Sequence, residues 1–275
     1  MTILIIGGSG FLGTELVRQA IAAGHSTAAT FATRPGGTPK VSWHALDLRD
    51  STRIEAVMSK VEPRVIVNAT SGGPDWTVTA EGPVRLAMTA AKRGSRLVHV
   101  SSDAVFSGAD VHYDETRLPD PVTPYGAAKA AAETGIRFVN PEAVVARTSL
   151  IIGDQRSEHV RAVHDLAAGT RTGALFTDDI RCPVHVADLA AALLELASSD
   201  RAGVHHLAGT DAVSRHELGT RIARRDGLDA SRLPTGLRAE SSLPGALDVR
   251  LDVRATQDRL RTKLRGARQF LALGT

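Results

Sequence analysis

The sequence predicts an α/β protein built on a doubly wound parallel sheet, and three observations carry that expectation. Strand-like and helix-like segments alternate through the first half of the 275-residue chain. The strand candidates are continuous apolar runs, as strands covered on both faces require. A glycine-rich turn joins the first strand to the first helix. The resulting βαβαβ rhythm implies parallel strands joined by right-handed crossovers.

Thr2–Ile6 reads as the first buried strand. Phe11 to Ala23 has helical periodicity, with Leu12, Leu16, Ala20 and Ala23 near one face and Gly24 as the stop. Residues 26–32 form the second strand, 34–40 a Pro/Gly loop and 43–46 a short third strand. A helix starts near Ser51, and Val65–Asn68 is the fourth strand. A loop over 71–76 precedes a helix over 81–92 that Gly94 closes. Residues 96–101 make the fifth strand, a proline-bearing loop covers 108–124, a helix runs over 125–138, and 143–147 is the sixth strand. Beyond it the rhythm weakens. Helices over 186–197 and 214–225 and a strand over 204–207 stand out, and Ser214 with Glu217 forms a capping box. Residues 233–248 read as a loop rich in Gly, Pro and Ser, and the tail as one or two short basic helices.

Composition excludes several classes. The formal net charge of +3, from 33 basic and 30 acidic residues, is too small and dispersed to argue for nucleic acid. No stretch approaches transmembrane length, and the apolar start runs straight into Gly7 with no basic leader. The single cysteine, Cys182, excludes an internal disulfide and fits a reducing compartment, so a cytoplasmic location is expected. It reads as a core residue. Among the ten histidines, neighbours His205 and His206 alternate on a strand and point apart, so no metal site is expected. His99 reads as core, and His185, near a helix start, as a candidate pocket residue.

The turn Gly7-Gly8-Ser9-Gly10-Phe11-Leu12-Gly13 follows a buried strand and opens a helix. In that context its glycines bring backbone N–H groups close to a pyrophosphate, and the helix start favours the anion. Gly7, Gly10, Phe11 and Leu12 are therefore candidate cofactor residues in a Rossmann-type fold. NAD enzymes place an acid at the end of the second strand. Here the strand ends Phe31-Ala32-Thr33, and Arg34 follows. An arginine suits a 2′-phosphate, so NADP(H) is the expected cofactor. Asp47 can accept from the adenine amino group, with the Leu48 backbone beside the ring. Ala69, Thr70 and Ser71, after the fourth strand, sit where ligands bind in such sheets.

Tyr125 and Lys129 lie four apart at a helix start and share a face. An ammonium near a phenol favours phenolate, so Lys129 is expected to lower the Tyr125 pKa and make it an acid–base group. Lys129 can also hold the nicotinamide ribose. Ser102, just past the fifth strand, can hydrogen-bond a carbonyl oxygen that gains negative charge; serines at such places also simply cap turns. Tyr-x-x-x-Lys alone is a weak signal. Glycine turn, strand-end serine and Tyr/Lys helix in this order are much stronger.

These residues resemble the extended short-chain dehydrogenase/reductase superfamily, and within it the dTDP-4-dehydrorhamnose reductase type. The likeness spans nearly the whole chain. Its marks include Gly7–Gly13, Val98-His99-Val100-Ser101-Ser102-Asp103-Ala104-Val105-Phe106-Ser107-Gly108, Tyr113-Asp114-Glu115, and Pro124-Tyr125-Gly126-Ala127-Ala128-Lys129 with Glu133. Further marks are Val145–Ser149, Cys182–Ala190 and Gly203–Gly209. The resemblance implies catalysis by Ser102, Tyr125 and Lys129, with hydride passing to a ketone on a nucleotide-linked deoxysugar. Sugar dehydratases of this kind carry an acidic pair after the strand-end hydroxyl, whereas here Asp103 is followed by Ala104. Two departures face the expected ligand. The reductase type often has Tyr at the position of Ala104, and an Ala-rich acidic segment in place of residues 70–76.

The sequence thus assigns residues 1–150 to a dinucleotide-binding domain and 151–275 to a smaller substrate-binding α/β region, partly interleaved with the first. Candidate substrate residues are Asp103, Ala104, Val105, Trp76, Arg147 and Arg181, the two arginines as partners for a diphosphate. The expected partner is a nucleotide-diphosphate sugar, with a homodimer left open. Two other readings are a reductase of a non-sugar carbonyl or imine and a non-catalytic NADP-binding regulatory subunit.

Overall fold

The computed structural model describes residues 1–242 and 244–272. In chain order, the first half runs β1 (Thr2–Ile6), α1 (Phe11–Ala22), β2 (Ser26–Phe31), β3 (Ser42–Ala45), α2 (Ser51–Val61), β4 (Val65–Asn68), α3 (Gly82–Arg93), β5 (Arg96–Ser102), β6 (His112–Tyr113), α4 (Pro124–Val139) and β7 (Val144–Thr148). The second half adds β8 (Ile151–Ile152), α5 (Glu158–Ala168), β9 (Leu175–Phe176), β10 (Ile180–Arg181), β11 (Val184–His185), α6 (Val186–Ala197), β12 (Gly203–Leu207), β13 (Val213–Ser214), α7 (Arg215–Arg225), β14 (Thr235–Gly236) and β15 (Arg250–Leu251). Two short helices, Arg254–Gln257 and Ala267–Phe270, lie in the tail.

Seven strands make one parallel sheet in the order β3-β2-β1-β4-β5-β7-β12. The order reverses direction between β1 and β4, which places a crevice at their carboxyl ends. The period-two alternation of apolar strands divides the core. Ile3, Ile5, Val65, Val67 and Val98 pack against Leu12 and Leu16 of α1 and Leu189 and Leu193 of α6. Leu4, Ile6, Ile66 and Leu97 pack against Ile54 of α2, Leu86 of α3 and Ile136 of α4. Each such side chain contributes about 1.5–3 kcal/mol by leaving water. Strand β12 pairs with β7, so the chain after residue 150 returns to the first sheet. Among the described residues no helix is long and apolar enough to cross a membrane.

A second core lies beyond the carboxyl edge, where Val160, Val163 and Leu166 of α5 meet Leu218 and Ile222 of α7. The sequence reading gives no helix at α5. The helix buries only Val160, Val163, Leu166 and Ala167, between polar neighbours. Its flanks were the available signals, Ser157 at the N-cap and Gly169 with φ +72° at the C-terminus. Helix α3 starts at Gly82, preceded by a π-helical turn, Thr77–Glu81. Helix α4 starts one residue early, at Pro124, where proline's missing N–H is harmless, and Thr123 caps it by accepting from the Gly126 N–H at 3.0 Å.

Candidate active site

A cleft of about 910 Å³ lies between the carboxyl edge of the sheet and the second core. On the sheet side it is lined by Phe11 and Leu12, by Ala69, Thr70 and Ser71, by Ser102, Asp103 and Ala104, and by Tyr125 and Lys129. The expected cofactor turn, strand-end hydroxyl and Tyr/Lys helix therefore meet in one space.

The glycine turn fits a dinucleotide. Gly7 has φ +78°, a left-handed conformation that side chains resist. A Cβ on Gly13 would overlap the Gly7 carbonyl oxygen, so the helix can approach its own turn only with glycine there. Gly10 is the N-cap of α1 and offers no side-chain acceptor to the first-turn N–H groups. An anion can take that place. Arg34 is exposed at the end of β2, with no ion-pair partner among the described residues. Its loop rests on Trp43, whose Nε1 donates to the Thr38 carbonyl at 3.3 Å. Asp47 accepts from Arg49 at 2.9 Å, and Arg49 also reaches Asp75 at 2.6 Å. Leu48 turns its side chain into the core, leaving only its backbone at this edge.

Lys129 is buried and donates to the Val100 carbonyl at 2.9 Å and the Thr70 carbonyl at 3.4 Å. Burial lowers its pKa to about 8, and the Glu133 carboxylate pulls the other way. Tyr125 departs from the expectation. Burial raises its pKa above the ordinary phenol value, while hydrogen bonds with Ser71 and Ser102 act to lower it and Asp103 adds to the rise. The expected lowering by Lys129 does not appear, and burial outweighs the two hydrogen bonds. Ser102 performs the capping role as well: its Oγ accepts from the Ala104 N–H at 3.1 Å. Its own proton points to Asp103 Oδ1 at 3.4 Å, a long contact that a closer acceptor in the cleft can replace.

Three predicted substrate residues, Arg147, Val105 and Trp76, are corrected. Arg147 is 1% exposed and forms a buried pair with Glu133, Nη2 to Oε2 at 2.8 Å, so it does not face the cleft. Val105 is fully buried with Phe106, Tyr113 and Cys182, because the 3-10 turn Asp103–Val105 rotates it inward. Trp76 is 50% exposed and outside the cleft, since the π-helical turn starts there and carries it away; Pro74 lines the cleft in its stead. Arg181 does line the cleft, but its donors go to the carbonyls of Ile180, Ala246 and Leu247 and to Asp179. Asp103 accepts from Ser149 Oγ at 2.6 Å and lies 3.8 Å from Arg181. His185 caps α6 outside the cleft, and His99 hydrogen-bonds Asn68 at 3.1 Å in the core.

Of the opposite wall the sequence reading names only Arg181. Arg181, Arg215 and Arg238 converge on the buried Asp179, at 2.9, 3.3 and 3.3 Å. Three guanidinium groups face Asp179, and Asp103 lies 3.8 Å from Arg181, so the cations outnumber these carboxylates. The Arg238 Nε is buried with no hydrogen-bond partner among the described residues. His159 accepts at Nδ1 from Arg215 at 3.4 Å, and burial and that cation hold its pKa near 3. It therefore stays neutral and carries its proton on Nε2.

Comparison with known proteins places the chain in a family. The RmlD substrate binding domain family model matches residues 1–265. The chain is 28% identical to the "probable low-salt glycan biosynthesis reductase" of Haloferax volcanii, over 90% of this chain and 87% of that protein. It is 31% identical to the dTDP-4-dehydrorhamnose reductase of Mycobacterium tuberculosis, over 84% of this chain and 77% of that protein. The fold superposes with a TM-score of 0.83 on the dTDP-4-dehydrorhamnose reductase of Bacillus anthracis in complex with NADP, at 20% identity, covering 98% and 96% of the two chains. The chain belongs to the RmlD substrate-binding-domain family and is an oxidoreductase of the extended short-chain dehydrogenase/reductase superfamily.

Proposed function

We propose that the protein is an NADPH-dependent reductase acting on a ketone, the 4-keto group of a nucleotide-linked deoxysugar. One observation carries the reading. The cleft sets Ser102, Tyr125 and Lys129 between an uncapped helix start and a wall of arginines. The turn Gly7–Gly13 and the start of α1 would hold a pyrophosphate, Lys129 the ribose hydroxyls, and Arg34 a 2′-phosphate. Bound there, the nicotinamide supplies the hydride. Ser102 donates to the ketone oxygen as negative charge builds on it. Tyr125 then protonates that oxygen, and burial favours the protonated phenol that this direction needs. Across the cleft, Arg215 and Arg238 supply positive charge for the substrate's diphosphate.

The test is consumption of NADPH, followed by its absorbance, with dTDP-4-keto-6-deoxysugars and with non-sugar ketones and imines. Turnover of the sugar nucleotide is expected, and Tyr125→Phe should lower it by about 10³-fold while NADPH still binds. Tight NADPH binding with no turnover of any carbonyl would instead make the chain a regulatory nucleotide-binding subunit. Turnover of only non-sugar carbonyls would move the substrate class.

A further inference from the structure

Ser102 stands on a strand end, Tyr125 and Lys129 on a helix, and the chain between them is the long loop over 103–123. Something other than that loop must set their separation. Tyr125, Lys129 and Glu133 follow one another at intervals of four along α4 and so share a face. Glu133 is buried and accepts from Ser101 Oγ of β5 at 2.5 Å. It also receives Nε and Nη2 of Arg147 on β7, at 3.1 and 2.8 Å. Arg147 in turn donates to the carbonyl of Arg117 in the loop, at 3.1 Å. On the other side of Ser101, the Val100 carbonyl takes Lys129 Nζ at 2.9 Å. Two adjacent residues of β5 are thus pinned to two successive turns of α4, and Ser102 is the next residue along.

A buried arginine–carboxylate pair adds little net stability over apolar residues of the same size. Its value lies in direction: the bidentate geometry fixes the carboxylate, and the carboxylate fixes Ser101. We propose that Glu133 is a positioning residue which, through Ser101 and braced by Arg147, holds the strand end carrying Ser102 at a fixed distance from the helix carrying Tyr125 and Lys129. Neither Glu133 nor Ser101 need touch the reacting atoms. The consequence for turnover rests on the reductase reading above; the clamp itself does not.

The experiment therefore has two readouts on Ser101→Ala, a small change at a buried site. The first is backbone amide exchange by mass spectrometry on the full chain with no substrate. The clamp predicts faster exchange in residues 101–106 and 125–133, and unchanged exchange in α1 and α6. The second is steady-state kinetics on the ketone that the wild type turns over. The expected result is a drop in kcat of about tenfold, with KM for NADPH nearly unchanged, since a displacement well under 1 Å has effects of this order. Ser101→Thr, which restores the hydroxyl, should recover most of the loss. Exchange in Ser101→Ala that matches the wild type overturns the clamp. So does an unchanged kcat per folded molecule, even with a lower Tm, because a purely structural bond would behave that way. A wild type that reduces no ketone sinks the functional reading alone and leaves the exchange result to decide the clamp.

Discussion

The two walls of the cleft are built on opposite plans. On the sheet side, the proposed cofactor and catalytic residues sit in short contiguous segments: residues 7–13, 101–104 and 125–129. Each is placed by the strand or helix to which it is attached. On the far side, single residues from distant points of the chain are tied together by ion pairs. Arg215 and Arg238 reach Asp179 across 36 and 59 residues of sequence. The first plan concentrates chemistry, and it holds a lysine in a place where burial opposes its charge. The second concentrates positive charge and uses a carboxylate to keep the cations together. A charge removed from one wall should therefore have the opposite effect on stability from a charge removed from the other.

Asp179→Asn gives the largest expected effect. Asp179 is 1% exposed and faces three guanidinium groups. Removing its charge takes the main carboxylate from the buried Arg181 and the half-buried Arg215 and Arg238, which costs about 3 kcal/mol. For a chain of this size that lowers Tm by about 10 °C. Thermal melts of wild type and variant at pH 7 measure it, and NADPH binding at 20 °C should survive because the glycine turn is untouched. An unchanged Tm would mean that the far wall stands without its carboxylate, and the comparison would break.

Lys129→Met should move stability the other way. The folded protein lowers the Lys129 pKa from 10.5 to about 8, so it binds that proton less tightly than the unfolded chain does. The protonated lysine therefore opposes folding by about 3 kcal/mol, in full below pH 8, declining as pH rises to 10.5. Methionine escapes that penalty but leaves the Val100 and Thr70 carbonyls without their donor, which offsets part of it. The expected outcome is a raised Tm at pH 7, a gap to the wild type that narrows between pH 8 and 10.5, and loss of turnover. A Tm below the wild type at pH 7 would show that the sheet wall depends on its lysine as the far wall does on Asp179.

The same contrast explains how much was legible in the sequence. The central sheet was readable, and the glycine turn, Ser102, Tyr125 and Lys129 could be expected along one cleft, because the signals are local: apolar runs, turn glycines and a four-residue spacing. Arg147 was misread because its strand shows a cation after an apolar run but not the Glu133 that neutralises it on α4. Val105 and Trp76 were misread because a 3-10 and a π-helical turn rotate them from the cleft, and neither turn has a residue signature comparable to a capping box. Asp179, Arg215, Arg238 and His159 were missed altogether. They belong to segments whose arrangement depends on tertiary pairing, such as β10 with β13 and β9 with β14. The Tyr125 pKa was inferred from proximity to Lys129, and burial proved the larger influence.

Arg34 offers the smallest effect and the finest test, because it belongs to the legible wall yet behaves like the other. It is a lone exposed cation at a strand end, and its loop is set by tertiary packing: a Cβ on Gly36 would overlap the Trp43 ring. An exposed arginine–phosphate contact is charge-assisted but screened, so its contribution is about 1 kcal/mol. Arg34→Ala should therefore raise KM for NADPH about fivefold, leave KM for NADH unchanged, and shrink the difference further as salt screens the wild-type contact. Trp43→Ala removes the support and not the charge. If the preference for NADPH falls in both variants, the loop's packing is as much a part of cofactor selection as the guanidinium. If it falls only in Arg34→Ala, the residue acts alone and its meaning was fully contained in its place after β2. If it falls in neither, discrimination lies elsewhere along the carboxyl edge, and the absence of an acid after Phe31 carries no information about the cofactor.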